Sequence, residues 1–468
     1  MQFVNRGEEI AEIEASLRTR QAVLYRLVGR RRIGKTALLA EACRRHRGVY
    51  LFAPEGDEAR VLAELRRQAG EAGGGDVLPP EGWEGLFRFL ERFEGRPVVL
   101  DEFQHVLESS ATAVSLLQHA WDSRLREGRH KWFLSGSSIG MMRRLTAGTT
   151  GALFGRLTHN RRLPPFRFRQ VALLYPGRPA LEVLERYAVF GGTPHYHAPS
   201  VGRDLRTAVV EGFLGDSSPL RDEPLDLLRF ELSRPARYNG ILEAVGEGRR
   251  ELEQVRAYLG LRRVGDITRY LAYLRDDLGL LVADEPFGGA RRAARYRFED
   301  PFFRFYYRFV SRERPALEVG ARDVVWRKIE RDLGAHVGTV AEDVLHQLMV
   351  DRNGAELKGI EVSFESLGRW WGPTPGDRKR VEEVDAVALG SSEALVGEVR
   401  WQGKPVGGEL WEDLQRKASL LPLPKKVPRR FIVVSKAGFT RAMRAEAPQG
   451  ALLLDGAEFL RLAVEKPA

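Results

Sequence analysis

Residues 29–36 read GRRRIGKT, a Gly29-x-x-x-x-Gly34-Lys35-Thr36 spacing with a plain chemical use. Glycines let backbone N–H groups wrap phosphate oxygens, and the positive end of the following helix dipole adds to the attraction. On this reading Gly29, Arg30, Arg31, Arg32, Ile33, Gly34, Lys35, Thr36 and Ala37 form a nucleotide cradle. Lys35 reaches the β- and γ-phosphates, and the Thr36 hydroxyl ligates Mg²⁺. Further along, VVLDEF ends an apolar run in two acids. Asp101 is placed to hold the magnesium through its water shell, and Glu102 to orient and deprotonate an attacking water. Acidic pairs also occur in solvated loops, so the pair takes its meaning from the phosphate loop upstream. Together they point to hydrolysis of ATP to ADP, with ATP and Mg²⁺ as the cofactors.

Such residues need a scaffold that brings loop ends to one edge. QAVLYRLV (21–28) reads as a short buried strand running into the glycine turn, and TALLAEACRRH as the helix after it, with Leu38, Leu39 and Ala42 on one face. GVYLFAP (48–54), PVVLDEF (97–103) and HKWFLSGSS (130–138) read as further strands. GLFRFLERF and SLLQHAWDSRLREG read as helices between them. Strands alternating with helices predict an α/β core with a parallel sheet covered on both faces.

From about residue 168 the strand signals stop, and 168–230 suits a helical lid. YNGILEAVGEG, ELEQVRAYLG and VGDITRYLAYLRDDLG then read as three helices. The last has Val264, Ile267, Leu271, Leu274 and Leu278 at helical spacing. A hairpin turning at Gly288–Gly289 follows, and three helices plus a ribbon is the outline of a winged helix over 231–300. PFFRFYYRFV opens a helical connector (301–335) before a mixed block, 336–468.

Composition sets the outer bounds. At 468 residues the chain should divide into several domains. No apolar run approaches the ~20 residues of a membrane span. The N-terminus lacks the layout of a signal peptide, so the expected location is the cytoplasm and the expected partners exclude a membrane. Cys43 is the single cysteine, which excludes internal disulfides and Cys-built zinc sites. A net charge of +10 suggests a polyanion such as DNA as partner. Only 11 of the 74 basic residues are Lys, however, and such an arginine bias also reflects a GC-rich genome or life at high temperature.

FVNRGEEIAEIE, GRRRIGKT, VVLDEFQ, FLSGSSIGMM, FGR and GGTPHY occur in that order. Together they resemble the archaeal-type ATPases of the AAA+ and STAND-related P-loop proteins, over essentially the whole chain. The resemblance implies a 1–167 ATPase core with Arg6 in an N-terminal box near the adenine. It puts Ser137 or Ser138 at the sensor 1 position, makes Arg156 an arginine finger, and packs Pro194 by the base. Arg156 also lies near Arg161, Arg162 and Arg167, so a solvated basic strand is the alternative. His195 and His197 suggest a metal by spacing, but no third ligand is in view and packing in the lid is the simpler role. No sensor 2 arginine can be placed.

The same resemblance makes the C-terminal block similar to a restriction-endonuclease-like, PD-(D/E)xK-type domain. It implies Asp385 and Glu398 on neighbouring strands, Glu342 on a preceding helix, and these three as a second Mg²⁺ set. Arg400 stands where the pattern has Lys; it keeps the charge but cannot accept a proton. A degenerate fold used for binding or assembly is therefore expected alongside an active nuclease.

In the winged helix, Arg262, Arg263, Thr268, Arg269 and Arg275 would face DNA from the third helix, with Arg291, Arg292 and Arg295 on the wing. Packing of the module on the ATPase or a partner is the alternative. The expected protein is an ATP-driven switch acting on or near DNA. The alternative is a protein-facing signalling or assembly switch, in either case with a homo-oligomer open.

Overall fold

The structure, a computed structural model, describes residues 5–75, 78–145, 151–232, 234–263, 265–289, 293–374 and 376–466. It divides into two compact units, Met1–Pro164 and Pro165–Ala468.

The first unit is built on strands β1 (Val23–Val28), β2 (Val49–Phe52), β3 (Pro97–Asp101), β4 (Lys131–Gly136) and β5 (His159–Arg162). They pair in the order β2-β3-β4-β1-β5, and every pairing is parallel. Every residue of β1, β3 and β4 is buried, as expected for strands covered on both faces. The period of two then decides which helix meets which side chain. Val23, Tyr25 and Leu27 pack with α1 (Gly7–Arg18) and α2 (Lys35–His46). Leu24 and Val28 join the opposite core, built with α3 (Glu58–Ala72), α4 (Gly82–Leu90), α5 (Gln104–Ser109) and α6 (Ala111–Ser123). A shorter α7 (Ile139–Arg144) follows β4. Lys131 at the start of β4 is buried and donates to the carbonyls of Ser16, Thr19 and Gln21 at 3.2, 2.8 and 2.6 Å, which caps the end of α1.

The second unit begins with α8 (Phe168–Ala172), α9 (Ala180–Phe190), α10 (Leu205–Val209) and α11 (Glu223–Glu231). Then come α12 (Pro235–Gly246), α13 (Leu252–Tyr258) and α14 (Gly265–Ala272), followed by the antiparallel pair β6 (Leu281–Asp284) and β7 (Arg295–Phe298). Glu251 adds a bridge to Arg295, so the α12–α13 connection borders the hairpin. Ile267, Leu271, Leu274 and Leu278 are buried as the helical spacing predicts, whereas Val264 lies outside the described residues.

After α15 (Pro301–Phe305) and α16 (Arg314–Glu318), α17 runs unbroken from Arg322 to Asp351. The expected boundary at 335/336 lies in the middle of this helix. Val325, Trp326 and Ile329 of α17 pack into the helical core, and Val337 to Met349 into the sheet that follows, so one rod serves both. Beyond a small hairpin, β8 (Ala355–Leu357) with β9 (Ile360–Val362), lies the second large sheet. Its strands are β10 (Ser366–Thr374), β11 (Asp377–Leu389), β12 (Ala394–Arg400), β13 (Arg429–Ser435) and β14 (Leu452–Asp455), in sequence order. The first two pairings are antiparallel and the last two parallel. Alternate residues of β13 again divide: Ile432 and Val434 meet α17 and α20 (Gly456–Val464), while Phe431 and Val433 meet α18 (Glu409–Leu420) and α19 (Arg441–Ala445). No described helix is long and apolar enough to cross a membrane.

Candidate functional sites: the phosphate loop and a second carboxylate cluster

In a parallel sheet the carboxyl ends of neighbouring strands share one edge, and that edge collects the predicted groups of the first unit. β1 delivers the 29–34 turn, β3 ends at Asp101, and β4 ends next to Ser137. Gly34 has φ 101°, a conformation that favours glycine, and α2 starts at the next residue with no side-chain cap. No side chain therefore caps the start of α2, whose first N–H groups face the loop. Lys35 is buried, and its Nζ donates to the carbonyls of Gly29 and Arg30 at 2.8 and 3.2 Å. These two carbonyls help hold the ammonium at the mouth of the loop, where phosphate oxygens can take their place.

Thr36 Oγ1 donates to Asp101 Oδ2 at 2.7 Å, and the Tyr50 hydroxyl donates to the same oxygen. Burial first, and then Asp101, push the Tyr50 phenol well above its ordinary pKa, so it stays a donor. The residue after Asp101, Glu102, has φ 51°, an uncommon conformation for a non-glycine residue. Its Oε2 accepts from Ser137 Oγ at 2.7 Å and from Ser137 N at 3.3 Å. Gln104, buried on α5, donates through Nε2 to Glu102 and, at 3.0 Å, to Ser137 Oγ. The sensor position is thereby tied directly to the candidate base, and Ser138, also buried, begins α7.

Arg6 does something the family pattern did not specify. Buried at φ 69°, it donates from Nη2 to the carbonyls of Ile33 and Pro164 at 3.0 and 2.9 Å, and from Nη1 to Glu9 at 3.0 Å. It clips the phosphate loop to the end of the β5 segment. Arg30 is buried, whereas Arg31 and Arg32 are exposed, as are Thr36 and Ala37 at the mouth. Arg156 is paired with Asp122 of α6, at 2.8 Å from Nε and 2.7 Å from Nη2. Tyr50, Gln104 and the Arg6 clip were not singled out from the sequence. VVLDEFQ contains Gln104, but no spacing rule connects a tyrosine on β2 to an acid on β3.

In the second unit, the GGTP segment has a structural task. Gly191 has φ 70°, and a Cβ there would lie 1.7 Å from Asp300 Oδ1. Gly192 N–H and Thr193 Oγ1 donate to the Asp300 carboxylate at 2.9 and 3.1 Å. Pro194 starts the short helix that follows. His197 is buried, with Nδ1 2.6 Å from the Tyr175 hydroxyl and Nε2 2.8 Å from the Gly191 carbonyl, which fits the packing role.

Asp385 on β11, Glu398 and Arg400 on β12 and Glu342 on α17 come near one another. Arg400 Nη2 grips Glu398 Oε1 at 2.6 Å, and Asp385 Oδ2 accepts from Val399 N–H at 2.8 Å. Lys417 of α18, which the sequence reading passed over, stands 3.7 Å from the same Glu398 oxygen and 3.1 Å from Asp413. Glu398 Oε2 is buried with no hydrogen-bond partner. Burial, and then Asp385, push both Glu342 and Glu398 above the ordinary carboxylate range, while Arg400 and Lys417 pull Glu398 back. Among the described residues no group of three His, Cys, Asp or Glu is arranged to hold a metal ion. Within the expected set Glu342, Asp385 and Glu398, the Arg400 guanidinium already answers Glu398.

Arg262, Arg263 and Arg269 are exposed at α14, and Arg269 lies 4.8 Å over the Tyr270 ring. Arg291 and Arg292 lie outside the described residues. Arg295 does not decorate the hairpin surface. It pairs with Glu383 at 2.7 Å and Glu251 at 3.4 Å, because both carboxylates face it from neighbouring elements. The hairpin is further held by Arg369, through Asp284 at 3.4 Å and through its carbonyl to Phe287 N at 2.7 Å.

Comparison with known proteins finds two family matches, the first of which runs past Pro164 into the second unit. Residues 3–198 match a family described as an ATPase domain predominantly from Archaea. Residues 306–413 match a second family, described as archaeal and bacterial proteins of unknown function. An uncharacterized protein of Methanocaldococcus jannaschii is 28% identical over 427 residues, 90% of this chain and 93% of the relative. The Walker-type ATPase of Pyrococcus abyssi superposes with a TM-score of 0.50 at 22% identity, over 65% of this chain and 96% of that one. The first part of the chain is thus similar to an archaeal-type ATPase domain, and residues 306–413 to the second family.

Proposed function

We propose that the chain binds and hydrolyses ATP at the 29–36 loop and uses the nucleotide state to switch the action of its C-terminal unit on or near DNA. The observation that carries the first half is the convergence of Lys35, Thr36, Asp101, Glu102 and Ser137 at one sheet edge. Thr36 and Asp101 suit a magnesium ion, since each presents oxygen and neither is paired to a cation among the described residues. When bound, that ion would offset phosphate charge. Lys35 would exchange its carbonyl partners for phosphate oxygens, and Glu102, aimed by Ser137 and Gln104, would take the proton of the attacking water. Whether Arg156 leaves Asp122 to serve a neighbouring copy belongs to this proposal as its oligomeric variant.

Net charge of +10 and the exposed arginines at α14 support DNA as the partner. Three helices and a bridged hairpin support the winged-helix reading of 231–300. A protein-facing switch is the second reading, and one observation favours it: the hairpin that would lie on DNA is tied to Arg369 and Glu383. The Arg400–Glu398 pair supports a C-terminal domain of nuclease-like ancestry that does not cleave.

ATP turnover measured with and without duplex and single-stranded DNA, at low and moderate salt, tests both halves. Glu102→Gln should keep nucleotide binding and lose roughly 100- to 10,000-fold in turnover. Wild-type turnover in that variant would remove Glu102 from the mechanism. DNA stimulation that falls steeply with salt supports the DNA reading, and turnover indifferent to DNA at low salt supports the protein-facing one.

A further inference from the structure

The second unit encloses a cavity of about 360 Å³, walled by the end of α12, β7, the segment after α15, α17, β10 and β11. Seven arginines line it against five acids, and Glu247, Asp284 and Glu383 among those acids are already paired with Arg312, with Arg297 and Arg369, and with Arg295. Asp343 on α17 takes Arg369 Nη2 at 2.6 Å, Arg304 Nη1 at 3.1 Å and Arg297 Nη1 at 3.7 Å. Asp284 also serves Arg297 and Arg369, at 2.5 and 3.4 Å. Two acids therefore answer three guanidinium groups. Arg250 and Arg308 line the same space, and neither makes an ion pair with a described residue.

Guanidinium groups gathered without matching carboxylates repel one another, and an anion that enters among them removes that cost. The fork of an arginine matches phosphate oxygens in particular. Aromatic surface lies beside this charge: Trp371 and Tyr296 line the cavity, and Arg295 sits 4.7 Å over the Trp371 ring. A volume near 360 Å³ falls at the small end of ligand pockets, which run from about 300 to 1,000 Å³. It suits one nucleotide unit and is too small for a duplex.

We propose that this cavity is a second nucleotide site, separate from the phosphate loop, in which Arg250, Arg304 and Arg308 hold the phosphate of a single nucleotide against the Trp371–Tyr296 wall. The phosphate belongs to a free mononucleotide or to the 5′ end of a single strand; the chemistry recognised is the same. The proposal does not depend on ATP turnover.

The test uses the full chain carrying Lys35→Ala, titrated calorimetrically at low salt with AMP, with a 5′-phosphorylated tetranucleotide, and with the same tetranucleotide lacking the phosphate. AMP has no β- or γ-phosphate for the Walker loop, so its binding reads the cavity. Adding Arg250→Gln and Arg308→Gln should weaken whichever phosphorylated probe binds by at least about tenfold. Thr339→Phe, which fills the cavity from α17 and removes no charge, should do the same and guards against misfolding in the arginine variant. Binding of AMP identifies a free nucleotide as the ligand; binding of the phosphorylated strand alone identifies a strand end. No binding of either probe, equal binding of the unphosphorylated strand, or affinity unchanged by both variants would each overturn the proposal.

Discussion

Asp101 and Glu102 in the first unit are held by a threonine, a tyrosine, a serine and a glutamine, whereas Glu398 in the second is held by Arg400, with Lys417 close behind. Neutral donors orient a carboxylate and leave its charge uncancelled. A guanidinium orients it equally well and cancels the charge at the same time. Both clusters stand on sheet strands flanked by helices, so architecture does not separate them. The kind of donor does: the first is poised to receive a cation, and the second has its cation built in.

The largest effect expected from this contrast is in the first unit. Lys35→Ala removes the one ammonium at the loop mouth and leaves the Gly29 and Arg30 carbonyls unanswered. ATP affinity measured by calorimetry should fall by about 100-fold or more, roughly 2.7 kcal/mol. An unchanged affinity would mean that the loop is not the phosphate site. In the second unit the corresponding cut is Arg400→Ala. Freed of its guanidinium, Glu398 with Asp385 should bind Mn²⁺ at least about tenfold more tightly than wild type does. Metal binding as weak as wild type's would show that Lys417 alone fills the cation's place.

The first unit was largely legible, and the reason lies in chain proximity. GRRRIGKT and VVLDEF are contiguous motifs whose backbone is fixed by β1, α2 and β3, so residue spacing maps directly onto the site. Tyr50 escaped because it meets Asp101 through the pairing of β2 with β3, a relation between strands that spacing along one segment does not express. In the second unit the residues were identified but their relations were not. Arg400 and Glu398 are two apart on one strand face, and a sequence cannot say whether the guanidinium reaches outward to a phosphate or back to its neighbour. The helix through residue 335 was missed for a related reason. Its apolar residues serve two different cores, so the stripe changes direction midway and reads as two segments.

A smaller change sharpens the contrast within the first unit. Tyr50→Phe deletes one of the neutral donors on Asp101 and keeps the Thr36 hydrogen bond. The lost hydrogen bond to a charged group is worth about 1.5–3 kcal/mol at most. Because the Thr36 hydrogen bond remains and a cation can take the vacated lone pair, turnover should fall only about two- to tenfold, with a raised Mg²⁺ requirement. A loss as deep as that of Glu102→Gln would make Tyr50 part of the chemistry and not of the scaffold.

The smallest net effect is the pH dependence of the second unit, where two opposed groups nearly cancel. Burial lowers His197 and His346 to about 4 and His336 to about 3, from an ordinary 6.5. As pH falls below 6.5 the unfolded chain takes up protons that the folded chain refuses, so stability is lost down to about 4. Glu342 and Glu398 act the other way. Their pKa is raised above 4.5, first by burial and then by Asp385, so the folded chain takes up protons that the unfolded chain does not until the pH reaches 4.5. Between pH 7 and 5 the three histidines together give up about 5–6 kcal/mol, and the two raised carboxyls return about 5. Wild type should therefore change little in calorimetric stability between pH 7 and 5. Glu342→Gln, which breaks no ion pair with a described residue, removes one of the compensating groups and should lose about 3 kcal/mol over the same interval. A variant that instead gained stability on acidification would place the proton elsewhere than on the Glu342–Asp385–Glu398 cluster, and the charge state that separates this cluster from Asp101 and Glu102 would have to be reassigned.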